Sequence, residues 1–443
     1  MKLVAGSWRS GVTVVLAALA TFVAGAAGAG PAWGENRVTP GNFTGYGFDQ
    51  CVAPTQTAMD RWLASSPYWA VGIYISGDSR GCLSQPNLTP GWVSAQLASG
   101  WRLLPLTVGP QAWCTTRERY LHQVRISPDP TTRYATARRQ GRQEATKTVR
   151  AAEALTIATG STLWYDIEAF DTSGTRCRES ALSFLSGWTN RMHGLGYVSG
   201  VYSSAASGIK MLDDADADTP GTYTMPDRVW IADWNGRADL SSPYVRSTSW
   251  MPHSRVHQYR GPHTETHGGV TIEVDSNYLS LGRGSVAPSE LSLCGGVELS
   301  FRDYYRITQG ASGERVQAAQ CLLERNGTYT GPISGSFDQR TRQAVVDYQG
   351  AHNLSPDGVL TLATWTAILS QGTHPVLKYG SASRAVRRVQ RALNAAVDAH
   401  LPITGVYYSA TAAAVTTYQR ALGLPRTGVV TDTTWAQLER GNR

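Results

Sequence analysis

The chain has 443 residues, with 40 Lys or Arg against 33 Asp or Glu and a formal net charge of +7 at pH 7. That length exceeds one ordinary hydrophobic core and predicts two or three domains. The basic excess favours an anionic surface, but no nucleic-acid-binding motif accompanies it, so nucleic acid is not an expected partner. At the amino end, Lys2 and Arg9 precede an apolar stretch from Gly11 to Ala24, and Ala26, Ala27 and Ala29 follow. Charged, apolar and small-residue segments in that order predict a secretory signal peptide over 1–30. A retained membrane anchor is the runner-up, because the run is short for a membrane span, and no membrane association is expected after cleavage.

From 42 to 282 short apolar runs alternate with helical stretches. Strands are predicted at 46–49, 70–75, 103–108, 163–167, 198–202, 229–232 and 256–259, and helices at 133–159 and 179–193. This alternation argues for a parallel sheet, and some 240 residues suit a TIM-type (β/α) barrel of the α/β class. An open doubly wound sheet is the competitor, but no GxGxxG follows the first strand. A Gly-, Ser- and Pro-containing stretch, 283–300, reads as linker.

The last third repeats itself with an offset of 70 residues: Val316 and Val386, Gln320 and Gln390, Gly335 and Gly405, Gln349 and Gln419, Trp365 and Trp435 correspond. Apolar residues recur at helical spacing within each copy, so 301–371 and 375–443 are predicted to be two small three-helix domains. They hold 15 basic and 9 acidic residues, most of the charge excess. The matched residues resemble the peptidoglycan-binding domain appended to wall hydrolases. That resemblance implies a cell-wall partner, while periodicity alone marks most of these positions as core.

All six cysteines follow the signal, and an even number in an exported chain predicts disulfides. Of 15 possible connectivities, Cys51 with Cys82, Cys114 with Cys177 and Cys294 with Cys321 is expected.

The strand around Leu163 to Ile167 carries two acids, Asp166 and Glu168, on one face. Side chains alternate along a strand, so these lie roughly 6.6 Å apart, a spacing over which carboxyls can flank a glycosidic bond. Such a pair in a core is costly unless it is paired or functional. Functional groups in barrels gather at strand carboxyl ends. Asp49, Asp233, Asp275, Tyr202, Trp230, Trp234, Gln258 and Tyr259 fall at or near such ends. Acids suit proton transfer, and aromatic faces with polar edges suit sugar rings. A single strand-end Asp is more often a cap, a reading with most force for Asp233. No HExxH occurs, so neither metal nor cofactor is expected, and Ser203 and Ser204 lack a nucleophile elbow.

The segments GFDQ, WYDIEAFD, GVYSS, VWIADW and VDSNYL resemble family 25 glycoside hydrolases, the lysozymes that cleave muramyl linkages. GFDQCVAPT, VGIYISGDSRGCLSQPNLT and GWRLLPLTVGPQA extend the likeness to the exported glycoside-hydrolase-like domains of unknown function (DUF 1906). The resemblance implies Asp49, Asp166 and Glu168 in the cleft as catalytic residues, with Glu168 as general acid and Asp49 or Asp166 ionised. Asp275 and Asp233 match the family's later segments, which implies that they shape the floor or hydrogen-bond the sugar, and Tyr202, Trp164, Trp234, Gln258 and Tyr259 are expected to contact the sugar beside them. The expected protein is a secreted, wall-associated, monomeric glycoside hydrolase acting on peptidoglycan. Its rivals are a non-catalytic wall-binding or scaffolding protein and a hydrolase of another envelope polysaccharide. The loop 111–131 departs from the compact lysozyme pattern and is expected either to narrow the cleft or to admit another glycan.

Overall fold

The computed structural model describes residues 38–289 and 293–443, so the signal segment lies outside the described residues. Eight strands close into one barrel in chain order: β1 (Phe43–Asp49), β2 (Tyr68–Ser76), β3 (Arg102–Thr107), β4 (Thr162–Asp166), β5 (Val198–Ser204), β6 (Arg228–Ala232), β7 (Ser254–His267) and β8 (Val270–Leu281). All seven predicted strands are present. β1 to β7 are parallel, whereas β8 runs antiparallel to both β7 and β1. The barrel therefore departs from eightfold β/α repetition: β7 and β8 form a long hairpin.

Helices α1 (Gln56–Ser65), α2 (Pro90–Ala98), α3 (Glu118–Leu121), α4 (Ala135–Ala154), α5 (Thr175–Gly194) and α6 (Lys210–Asp218) follow the first five strands. Thr55 and Thr89 start α1 and α2 by accepting from the backbone N–H of Ala58 and Trp92. These caps satisfy amides that the first helical turn leaves without partners. α4 and α5 cross where each carries a glycine: a Cβ on Gly141 would lie 2.0 Å from Phe184 O, and one on Gly187 2.2 Å from Arg138 O. That approach lets Phe184 and Trp188 of α5 pack on Tyr165, on the outer face of β4.

Inside the barrel, Trp164 meets Trp230 edge to face at 5.5 Å, among Phe43, Leu104, Val256 and Leu279. Large apolar side chains contribute about 1.5–3 kcal/mol each on full burial. This apolar plug lies below a polar layer at the carboxyl end of β4.

The two repeats contain α7 (Glu314–Arg325), α8 (Gln339–Ala351) and α9 (Leu362–Ser370), then α10 (Arg384–Val397), α11 (Ser409–Ala421) and α12 (Asp432–Glu439). The repeated residues are internal staples. Gln320 is buried, donates to Ser336 O and Thr341 Oγ1, and accepts from Gly335 N; Gln390 makes the same bonds to Val406, Thr411 and Gly405. Trp365 Nε1 donates to Tyr305 O and Trp435 Nε1 to Pro375 O. A positive φ at Gly335 and Gly405 suits residues without a Cβ. The motif thus specifies the fold, as burial of a polar amide demands full satisfaction.

Both repeats share one hydrophobic core, and the second docks on the amino-terminal end of the barrel. Lys378 is buried against Trp69 and Trp101 and donates to Leu63 O and Ser66 O, while Trp69 Nε1 donates to Ser381 Oγ. In the stretch read as linker, Ser285 bonds Thr44 of the barrel and Gly380 of the second repeat. The expected disulfides Cys51–Cys82, Cys114–Cys177 and Cys294–Cys321 are all formed.

Candidate active site

At the end opposite the docked repeat, the strands open into a cleft of about 360 Å³ lined by Asp49, Asp166, Glu168, Asp275, Tyr74 and Arg119, among others. Asp49 ends β1, Asp166 ends β4, and Asp275 enters from β8, whose reversed direction brings its early residues to the mouth. Glu168 lies beyond β4, two residues past its last strand residue. Gln111 holds this exit: its Nε2 donates to Asp166 O at 2.9 Å, and its Oε1 accepts from Glu168 N at 2.8 Å. One side chain thereby replaces a strand neighbour on both sides of Ile167.

Two amides organise the acids. Trp230 Nε1 donates to Asn277 Oδ1 at 2.7 Å, which turns the Asn277 Nδ2 toward Asp49 Oδ1, also at 2.7 Å. Gln258 Oε1 accepts from Tyr202 OH at 3.0 Å and Trp234 Nε1 at 2.9 Å. Its Nε2 must then face the carboxylates, at 3.2 Å from Asp49 Oδ1 and 3.3 Å from Asp275 Oδ2. The donor–acceptor inventory of the network assigns both amide orientations.

Burial sets the charge states. Asp49 is pushed up to about 6 by burial, against the pull of its Asn277 and Gln258 donors. Burial, then the charges of Asp49 and Glu273, raises Asp275 to about 8. Asp166 rises well above the carboxylate range through burial, then repulsion by Glu168 and Asp49, opposed by Arg117 and Arg119. Removing a charge from water and setting like charges side by side both favour the protonated acid. Asp166 Oδ1 and Asp275 Oδ1 are buried without hydrogen-bond partners among the described residues. Glu168 instead pairs with Arg117 at 3.1 Å and is reached by Tyr120 OH at 3.5 Å. A protonated carboxyl cannot keep that ion pair, so a proton-donating Glu168 must first release Arg117.

The cleft brings together Asp49, Asp166, Glu168 and Asp275, with Gln258, Tyr202 and Trp234 bonded behind or beside them. Trp234 is 61% exposed, and its indole lies flat over Gly261, where a Cβ would come within 2.7 Å of the ring. Asp233 contributes its backbone: its N–H donates to Gln258 O and its carbonyl bonds His257. Two expected sugar contacts are not at the cleft. Trp164 is wholly buried in the plug one layer down, because its inward face lies two residues before Asp166. Tyr259 follows the inward Gln258 and takes the outer face near Ser276, by strand alternation.

Sequence reasoning missed Tyr74, Arg117, Arg119 and Asn277. The arginines come from the segment between β3 and α4, where no periodicity announces a side chain's direction. Asn277 stands in the quoted VDSNYL segment and is detectable only as a polar residue inside an apolar strand.

A closed barrel with buried carboxylates at the mouth, joined to two helical repeats, defines a modular protein of the glycoside-hydrolase-like type. Residues 60–279 match the model of the Rv2525c-like, glycoside hydrolase-like domain, and 312–368 and 383–438 each match the peptidoglycan binding domain. The chain carries an Rv2525c-like, glycoside hydrolase-like domain and two peptidoglycan-binding repeats. An uncharacterized protein in the bpoA1 3'region of Kitasatospora aureofaciens is 38% identical over 99 residues, covering 21% of this chain and 81% of that protein. Among solved structures, the Mycobacterium tuberculosis Tat-secreted protein Rv2525c is 14% identical, covering 54% of this chain and 98% of that one, with a TM-score of 0.36. A family 25 glycosyl hydrolase from Bacillus anthracis is 14% identical over 54% of this chain and 89% of its own, with a TM-score of 0.33. Overlays at these scores define neither substrate nor chemistry.

Proposed function

We propose that the protein is a secreted, wall-associated glycoside hydrolase that cleaves the glycan strands of peptidoglycan, with the repeats holding it on its polymer. The observation that carries this reading is the gathering of Asp49, Asp166, Glu168 and Asp275 in one cleft at the carboxyl ends of the strands. Four acids so placed are costly to the fold, and acid–base chemistry on a glycosidic bond is a use for them. In this reading Asp166 and Glu168 form the proton-donating pair: Asp166 retains a proton, and Glu168 stands nearer the mouth, where a leaving oxygen can reach it. Asp49, held by two amide donors and ionised above about 6, opposes the positive charge that develops at the anomeric carbon. Trp234, with one indole face open, stacks on a sugar ring, and Asp275, Tyr202 and Asp233 help fix its position. No cofactor enters this scheme.

The test is mass spectrometry of products after purified peptidoglycan is incubated with the mature protein, Glu168→Gln and Asp166→Asn. Muropeptides with new reducing ends are expected from the unmodified protein, with a loss of about 10²–10⁴-fold in either variant. A second reading, a non-catalytic wall-binding protein, is favoured by the Arg117 ion pair that occupies Glu168. It predicts sedimentation with the wall and no new reducing ends from any of the three proteins. New ends from another envelope polysaccharide alone would redirect the substrate and keep the chemistry.

A further inference from the structure

Arg119 stands in the wall of the cleft and carries a positive charge that the acid–base scheme does not use. It comes from α3, and its Nη2 donates to Ser79 O at 2.9 Å. Its guanidinium lies 4.8 Å from the centroid of the Tyr120 ring, and a Cβ on Gly81 would lie 3.5 Å from its Nη1. Gly81 precedes Cys82, whose disulfide to Cys51 ties together the loops after β1 and β2. The guanidinium is thus fixed by a carbonyl, an aromatic face and a cross-linked loop.

Its surroundings make its lack of an ion pair informative. The same cleft is lined by Asp49, Asp166, Glu168, Glu273 and Asp275, yet no carboxylate among the described residues forms a salt bridge with Arg119. Arg117, two residues earlier, takes Glu168. Burial pushes Asp166 and Asp275 toward the protonated form, which reduces the negative charge facing Arg119. A planar guanidinium with unused donors is the side chain best matched to a carboxylate, because it can bind both oxygens at once.

We propose that Arg119 is a specificity-determining residue that binds a free carboxylate on the substrate sugar, so that the cleft prefers glycan strands whose sugar carboxylates are free over strands in which peptides hold them as amides. The inference rests on the glycan-cleaving reading of this cleft and adds to it the class of sugar accepted. Arg119 acts in binding and orientation, with no covalent step of its own.

The experiment is isothermal titration of the full chain, every sample including the one called unmodified below carrying Asp166→Asn so that the ligand survives, with two forms of one tetrasaccharide of alternating N-acetylglucosamine and N-acetylmuramic acid. One form carries free carboxylates and the other has them converted to amides; mass spectrometry of each sample confirms that the ligand is uncleaved. The unmodified protein is expected to bind the acid form about tenfold more tightly. Arg119→Gln is expected to remove that preference while leaving affinity for the amide form unchanged, and Arg119→Lys to keep part of it. Equal affinity of the unmodified protein for both forms, or a preference that survives Arg119→Gln, overturns the inference and leaves the glycan cleft standing. Failure of the unmodified protein to bind either form overturns both. Loss of amide-form binding in Arg119→Gln would assign the residue to the fold of the rim, and overturns the inference too.

Discussion

The ammonium of Lys378, in the second repeat, lies 4.7 Å from the centroid of the Trp69 ring at the base of the barrel. Trp101 covers it at 5.0 Å, and Leu63 O and Ser66 O accept from it at 2.8 and 3.2 Å. A charge this deeply buried is tolerated because carbonyl dipoles and two indole faces replace its water. The 70-residue offset places Thr308 at the same position in the first repeat. The second repeat therefore carries a docking residue that the first lacks.

Lys378→Ala should destabilise the chain by about 3 kcal/mol, since it leaves a cavity and two buried carbonyls without donors. Lys378→Met fills the space and removes the buried charge, so its cost at pH 7 should be below about 1.5 kcal/mol. Burial lowers the folded-state pKa of Lys378 well below 10.5. Between that lowered value and 10.5 the unfolded chain binds more protons, so the unmodified protein gains stability with rising pH relative to Lys378→Met. Thr308→Ala should stay within about 0.5 kcal/mol at any pH. Thermal melts at pH 7 and pH 10 decide: a pH-independent difference between the protein and Lys378→Met would show that the ammonium is not desolvated.

Such a contact marks where sequence reading stops. β4 was legible because Leu163, Tyr165 and Ile167 alternate with Trp164 and Asp166, and the repeats were legible because each match recurs 70 residues later. β8 was not read as a strand: Asp275 and Asn277 point inward, against the apolar pattern a strand in a barrel should show. Trp164 and Trp234 both flank strand ends, and a difference of one barrel layer decides that the first is core and the second rim. Gln258 and Asp49 are 209 residues apart, and no local pattern joins them. Gly141 and Gly187 give no sign in sequence that each meets the other helix's backbone.

The cleft should cost the fold stability in a pH-dependent way. Asp275 moves from 3.8 to about 8, so between those values the folded protein binds more protons than the unfolded chain. Stability contributed by this group is therefore lost as pH rises through that window. Asp275→Asn keeps an oxygen for Gln258 Nε2 and abolishes the titration. It should be more stable than the unmodified protein by roughly 1–2 kcal/mol at pH 8, allowing for water at the mouth, and no more stable at pH 3. Urea midpoints at the two pH values measure this, and an equal gain at both would assign the effect to packing.

Gln258 couples the sugar platform to the acids, because the group that accepts from Trp234 and Tyr202 also donates to Asp49. Gln258→Leu removes one of the two amides that hold Asp49 down. The Asp49 carboxyl should then titrate above about 6, higher by roughly one unit, as followed by carbon NMR of labelled aspartate. Trp234 should lose its anchor, and the red edge of its fluorescence should shift toward that of a solvated indole. A titration that does not move would leave Asn277 as the donor that matters.

Arg117 and Glu168 form the remaining pair, at 3.1 Å with the arginine side chain 48% exposed and the glutamate 24%. An ion pair this open to water is worth less than about 1 kcal/mol, so substrate or salt can release it. If the acid must be free of its partner to carry a proton, Arg117→Gln should leave the melting temperature nearly unchanged and raise kcat/KM on peptidoglycan by about 3–10-fold. Added salt should narrow the gap between the two proteins, because it weakens the same contact in the unmodified chain. A fall of tenfold or more in Arg117→Gln would instead place the arginine on the substrate, and added salt would then slow the unmodified protein by screening that contact. The sign of one rate change thus separates an arginine that holds Glu168 in reserve from one that works beside it.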